Sequence, residues 1–152
     1  KRFAVILEHG EERTIRVYVK RFYCQKCGRL CYADAPFYQD TRLGSPIVDL
    51  CLLLSHQMPF NRVAQYLKAM GIVVDRGTIR NYASRDFGAI PAAELFGLPL
   101  PLSLLNLSIS AIGRERGPIV GAEALAACGF PPADRAAPQG RRSPKERDQR
   151  YE

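Results

Sequence analysis

The sequence predicts an α+β protein, and three observations carry that prediction. Residues 2–22 read as a β-hairpin whose second strand alternates apolar and polar positions, residues 45–88 repeat apolar residues at the helical period, and residues 91–130 hold short Leu, Pro and Ala-rich helical runs. At 152 residues, 47% of them hydrophobic, the chain has room for one ordinary domain or two very small ones. A large catalytic domain beside a binding domain does not fit.

The first element is a β-hairpin: RFAVIL, the turn HGEE, then TIRVYVKRF. On its second strand Ile15, Val17 and Val19 fall on one face, which is expected to pack. Arg16, Tyr18, Lys20 and Phe22 fall on the other, cations interleaved with rings. That pattern suits contact with phosphates and bases, and equally an amphipathic strand with solvated basic residues.

The hairpin runs into YCQKCGRLCY, with cysteines spaced C-x2-C-x3-C. Cys24, Cys27 and Gly28 have the form of a zinc knuckle, a tight turn that converges two thiolates on one ion, and zinc takes four ligands. Cys31 is either a third ligand or a small buried residue, and His9, at the opposite hairpin turn, is a further candidate. Cys51 and Cys128 read as core thiols. A redox pair would want a helix in a βαβ setting, and a disulfide framework an extracellular chain; the sequence indicates neither. A ribbon uses two knuckles, and the first would precede Lys1, so the zinc site is expected to be incomplete within this chain.

Residues 33–44, ADAPFYQDTRLG, form a linker. Ser45 is the expected N-cap of a first helix that opens on Pro46 and buries Ile47, Leu50, Cys51 and Leu54. A second helix from Pro59 carries Phe60, Val63, Ala64, Leu67 and Met70 on one stripe and stops at Gly71. After Ile72-Val73-Val74, Asp75 caps a third helix, Arg76–Arg85, with Ile79, Tyr82 and Ala83 inward. Arg76, Arg80, Asn81 and Ser84 then face outward. Two further helices are expected near Pro101–Ile112 and Ile119–Cys128, the second closed by Gly129. From Pro131 onward the chain has almost no apolar residues and is expected to be disordered.

Charge narrows the choice of partner. The net charge is +7, and residues 1–90 hold 14 Lys/Arg against 8 Asp/Glu while residues 91–130 hold 2 against 3. A localised basic excess favours a polyanion. The most apolar window, Leu95 to Ile112, is broken by Pro99 and Pro101 and holds Asn106 and three serines, so no membrane span is expected. The opening KRFAVILEHG lacks the features of a signal peptide, and a cytoplasmic protein is expected.

The second and third helices, joined around Gly71, follow the helix-turn-helix plan, in which the first turns of the second helix enter the major groove. Arg76 and Arg80 lie four apart with Asn81 beside them, and Arg reads guanine as Asn reads adenine. Ordinary helical hairpins also carry glycine turns and exposed arginines, so the basic knuckle upstream is what tips the reading toward double-stranded DNA.

Taken in order, VKRFYCQKCG, RVAQYLKAMGI and DRGTIRNYA resemble the N-terminal region of bacterial and archaeal insertion-sequence transposases of the zinc-ribbon type. The resemblance covers Arg16 to Ala83. It implies that Cys24 and Cys27 bind zinc and that Val63, Ala64, Leu67, Gly71, Ile72, Thr78 and Ile79 frame the DNA-binding unit. The expected organisation is then a partial zinc ribbon (1–34), a helix-turn-helix (45–88), a helical segment of unassigned role (91–130) and a tail (131–152). The DNA-contacting set is Arg76, Thr78, Arg80, Asn81, Ser84 and Arg85 on the third helix, with Arg16, Lys20, Arg21, Lys26 and Arg29 on the knuckle face. Such a protein would be nucleoid-associated. A strand-transfer core needs three carboxylates on a sizeable α/β scaffold. Beyond Asp86 the acids are Glu94, Glu115, Glu123, Asp134, Glu146, Asp148 and Glu152, four of them in the tail, so the chain itself is not expected to be an enzyme. The rival readings are a transcriptional regulator that forms a homodimer through 91–130, and a zinc-stabilised protein-interaction module.

Overall fold

A computed structural model describes residues 1–33, 35–112, 119 and 121–130. The tail expected at 131–152 lies outside the described residues. The fold is α+β, in the order β1 (Arg2–Glu8), β2 (Glu11–Arg16), β3 (Arg21–Tyr23), β4 (Leu30–Tyr32), α1 (Ser45–Ser55), α2 (Phe60–Ala69), α3 (Arg76–Ala83), β5 (Ala92–Leu95), β6 (Leu98–Pro101), α4 (Leu102–Ile112) and α5 (Gly121–Ala127).

The strands form three antiparallel pairs, β1 with β2, β3 with β4 and β5 with β6. The β1–β2 turn is the two residues His9-Gly10, both at positive φ (54° and 85°), the arrangement whose twist matches the flanking strands. The strand expected to run unbroken from Thr14 to Phe22 is divided. It leaves the first hairpin at Arg16, its Val17 amide still bonded to the Lys1 carbonyl at 2.9 Å, and enters the second at Arg21. The packed face expected on it is only partly present: β2 is exposed along its whole length, Ile15 included, while Val17 and Val19 beyond it are half-buried. Burial falls on β1 instead, through Ala4.

The other edge of β1 is also occupied. The Leu7 amide donates to the Gly71 carbonyl and the Val73 amide to the Val5 carbonyl, both at 2.8 Å, around an antiparallel bridge between Ile6 and Ile72. The apolar turn between α2 and α3 therefore behaves as a third strand on the N-terminal hairpin. Gly71, at φ +82°, supplies the left-handed residue that lets α2 end and the chain turn into that pairing.

α1 is the centre of the core. Its text, SPIVDLCLLLS, buries Ser45, Pro46, Ile47, Val48, Asp49, Leu50, Cys51, Leu52 and Leu54, far more than the single stripe expected from its period. The reason is that helices α2 and α3 cover one side while β6 and α4 cover another. Gly44, not Ser45, is the N-cap. The Gly44 amide bonds to the Phe3 carbonyl and the Ser45 amide to Pro36, and a Cβ on Gly44 would collide with the Phe3 ring. Ser45 is thereby drawn inside, where its hydroxyl is buried beside the weakly bonding Cys128 thiol and has no well-formed hydrogen bond.

Two further expectations are corrected. Met70 ends the α2 stripe in solvent, 42% exposed, because the chain has already turned toward β1. Residues 92–101 form the β5–β6 hairpin, where no strands were expected; its turn, Phe96-Gly97, again has both residues at positive φ. The linker is ordered too. Phe37 and Leu43 are buried, and the Tyr38 hydroxyl donates to Asp49 Oδ1 at 2.6 Å, while the Ser103 hydroxyl of α4 donates to Oδ2, also at 2.6 Å. One buried carboxylate thus joins α1 to the linker and to the C-terminal half. Among the described residues no helix is long and apolar enough to cross a membrane.

Candidate nucleic-acid interface

α3 is short, so its first turn depends on its cap. Asp75 Oδ1 accepts the Thr78 amide at 2.8 Å and Oδ2 accepts the Thr78 hydroxyl at 2.6 Å. These bonds hold the Asp75 carboxyl below its ordinary range, the hydroxyl being the larger cause. Ile79 and Tyr82 then bury their side chains against the core, as the helical period requires. That anchors one face and fixes which residues face out.

Of the six α3 candidates, three are free and three are engaged. Arg76, Arg80 and Asn81 are exposed, and their side chains have no hydrogen-bond or ion-pair partner among the described residues. Thr78 spends its hydroxyl on the cap, and the Ser84 hydroxyl donates to the Asn81 carbonyl at 2.9 Å. Arg85 is a structural residue: its guanidinium donates to the Gln39 carbonyl at 2.7 Å and the Asp40 carbonyl at 3.3 Å and lies 4.9 Å from the Phe87 ring centre. Phe87 in turn packs on Tyr38 and Tyr82, so Arg85 pins the end of α3 to the linker.

The second cluster is the β3–β4 hairpin. Its register pairs Arg21 with Tyr32, Phe22 with Cys31 and Tyr23 with Leu30, and every residue of both strands is exposed. The ladder extends by the Ala33 amide to the Lys20 carbonyl (2.8 Å) at one end and the Cys24 amide to the Arg29 carbonyl (2.9 Å) at the other. Lys20, Arg21, Lys26 and Arg29 are exposed along it, with Lys20 over the Phe22 ring at 5.5 Å, and Arg16, also exposed, ends β2 opposite Arg2. The neighbouring Arg13 is already committed to Glu8 at 2.7 Å.

The cysteine turn sits at the tip of that hairpin. The Gly28 amide bonds to the Cys24 carbonyl at 2.9 Å, and Gly28 has φ +67°, a conformation that an L side chain rarely adopts. The Cys24 thiol is lowered from its ordinary range, first by the Cys27 side chain and then by the amides of Cys27 and Lys26, so the turn favours a thiolate there. The chemistry of the pair fits two corners of a tetrahedral zinc site. Cys31 is not brought to them: among the described residues no three His, Cys, Asp or Glu side chains gather closely enough to hold a metal ion. The other two thiols are inert by burial, Cys51 pushed up to about 12 and Cys128 to about 11.

Sequence reasoning missed Tyr23 and Tyr32 as surface features. Both are exposed because the hairpin carrying them has no covering layer, and the signal was the shortness of the strands flanking the cysteines. No family model, curated protein or solved structure matches the chain.

Proposed function

We propose that the chain is the DNA-binding module of a transposase-like protein, acting on double-stranded DNA in the cytoplasm at the nucleoid. α3 is the reading helix: Arg76, Arg80 and Asn81 meet base edges in the major groove. Arg16, Lys20, Arg21, Lys26 and Arg29 hold phosphates and carry no sequence information. The observation that supports this reading most is the state of α3, a capped helix buried on one face whose free Arg and Asn side chains are of the types that pair bidentately with guanine and adenine.

Zinc belongs to the same proposal. Cys24 and Cys27 would hold it, with two donors from outside the described residues, and it would stabilise a hairpin that buries nothing of its own. Zinc titration checks this: the parent should take up the metal weakly through the two thiolates and the Cys24→Ser, Cys27→Ser double variant should not, and equal uptake by the two ends the zinc proposal. Self-association through 91–130, where Phe96, Ile109 and Ile112 are exposed, is the homodimer form of the module, read by sedimentation.

Selection of a preferred site from random duplexes, followed by binding titrations, tests the reading itself. Arg80→Ala or Asn81→Ala should cost about 1–3 kcal/mol on the selected site and little on random duplex. Lys20→Ala with Arg21→Ala should weaken all duplexes alike and reduce the salt slope by about one for each phosphate no longer neutralised. If Arg80→Ala and Asn81→Ala leave the preference intact, α3 is not the reader.

A further inference from the structure

From Arg13 to Ala33 the sequence holds six cations and no carboxylate. Apart from Arg13, these cations are exposed without an ion-pair partner among the described residues. The same stretch exposes four rings: Tyr18 at 93%, Tyr23 at 66%, Tyr32 at 57% and Phe22 at 50%. Phosphate binding accounts for the cations and leaves the rings without a role. A paired duplex offers them nothing either, because its bases already cover one another.

The register arranges two of these rings as a pair. Residues directly opposite one another on an antiparallel ladder point to the same face, so Arg21, Tyr32, Tyr23 and Leu30 share one face of the hairpin. Tyr23 and Tyr32 are diagonal neighbours on it, about 7–8 Å apart. Tyr23 lies back along the cysteine turn, its hydroxyl 3.7 Å from where a Cβ on Gly28 would stand. Phe22 points to the opposite face with Cys31, beneath the Lys20 ammonium.

The geometry points to a stacking platform on the Tyr23–Tyr32 face of the β3–β4 hairpin that receives unpaired bases of a nucleic-acid strand. Charge selects that occupant, since an acid-free basic rim attracts a backbone of phosphates, and rings beside such a rim take up base faces regardless of sequence. The inference rests on the proposed duplex reading and extends it: the module recognises a duplex that continues into a single strand.

Two probes of identical duplex sequence, one blunt and one with a single-stranded oligothymidine extension, are titrated with the full chain at fixed salt. The extended probe should bind about tenfold more tightly, the scale of one stacked base. Tyr23→Ala with Tyr32→Ala should abolish that advantage and leave blunt-duplex affinity unchanged, while Tyr23→Phe with Tyr32→Phe should preserve it because a ring remains. Equal affinity of the parent for both probes, or an advantage that survives the double alanine variant, overturns the inference. So does a parent dimer that the alanine pair dissociates in sedimentation, which would assign the rings to a second copy. Failure of site selection by α3 leaves a different signature: the Arg80→Ala variant keeps its site preference while the extension still binds through the tyrosines.

Discussion

α1 and the β3–β4 hairpin are opposites. Nine of the eleven residues of α1 are buried, and none of the six strand residues of the hairpin is. The helix is held by the hydrophobic effect from several sides. The hairpin is held by a few backbone bonds and its turn, and an isolated two-stranded ribbon is marginal in water. The difference teaches that this protein keeps its packing apart from its basic and aromatic hairpin: Arg21, Phe22, Tyr23, Cys31 and Tyr32 stand where packing contributes nothing.

The contrast is sharpest under truncation. Leu54→Ala should destabilise the protein by about 2–5 kcal/mol in denaturant titration, since the side chain is fully buried and a cavity replaces it. Tyr23→Ala removes a larger side chain and should change global stability by less than about 0.5 kcal/mol. Comparable losses at the two sites would break the comparison. A second variant probes polar burial in the core. Asp49→Ala strands the Tyr38 and Ser103 hydroxyls and should cost about 1–3 kcal/mol.

Asp75 lies between the two extremes, exposed yet bonded. Asp75→Ala should cost about 1 kcal/mol at neutral pH. Its folded pKa is depressed, so the stabilisation is present above the ordinary carboxylate range and is lost as pH falls through the folded value. The gap between parent and variant should therefore close in acid, and a gap independent of pH would remove the carboxylate from the account. The mildest test leaves stability untouched. Iodoacetamide near pH 8 should modify Cys24 well before Cys51 or Cys128, because the turn favours the Cys24 thiolate and burial suppresses the other two. Mass spectrometry of the labelled peptides reads the order.

What the sequence revealed divides along the same line of local against distant causes. α2, the glycine stop, the Asp75 cap and the outward set Arg76, Arg80 and Asn81 depend on neighbours within a turn or two, and helical period with capping and terminator residues located them. Arg85 looked like one more outward cation until its partners, the carbonyls of Gln39 and Asp40, were placed beside it by the fold. The β5–β6 hairpin was hidden because Pro99 and Pro101 lack the amide a strand donates to its ladder and Phe96 occupies a left-handed turn position normally left to Gly, Asn or Asp. The full burial of α1 was written in its nearly unbroken apolar text, but which elements would cover its second side was not.

The pairing of β1 with the turn at Gly71–Val73 also sets an order of events in folding. The Leu7 amide waits for a carbonyl 64 positions later in the chain, so the turn between α2 and α3 acquires its sheet contact only after a long loop closes. During synthesis the first hairpin emerges with that edge bare, an apolar strand carrying Val5, Ile6 and Leu7 and open to any other strand that arrives first. The same edge that later pairs with the turn before α3 is, until that turn reaches it, open to joining a neighbouring chain.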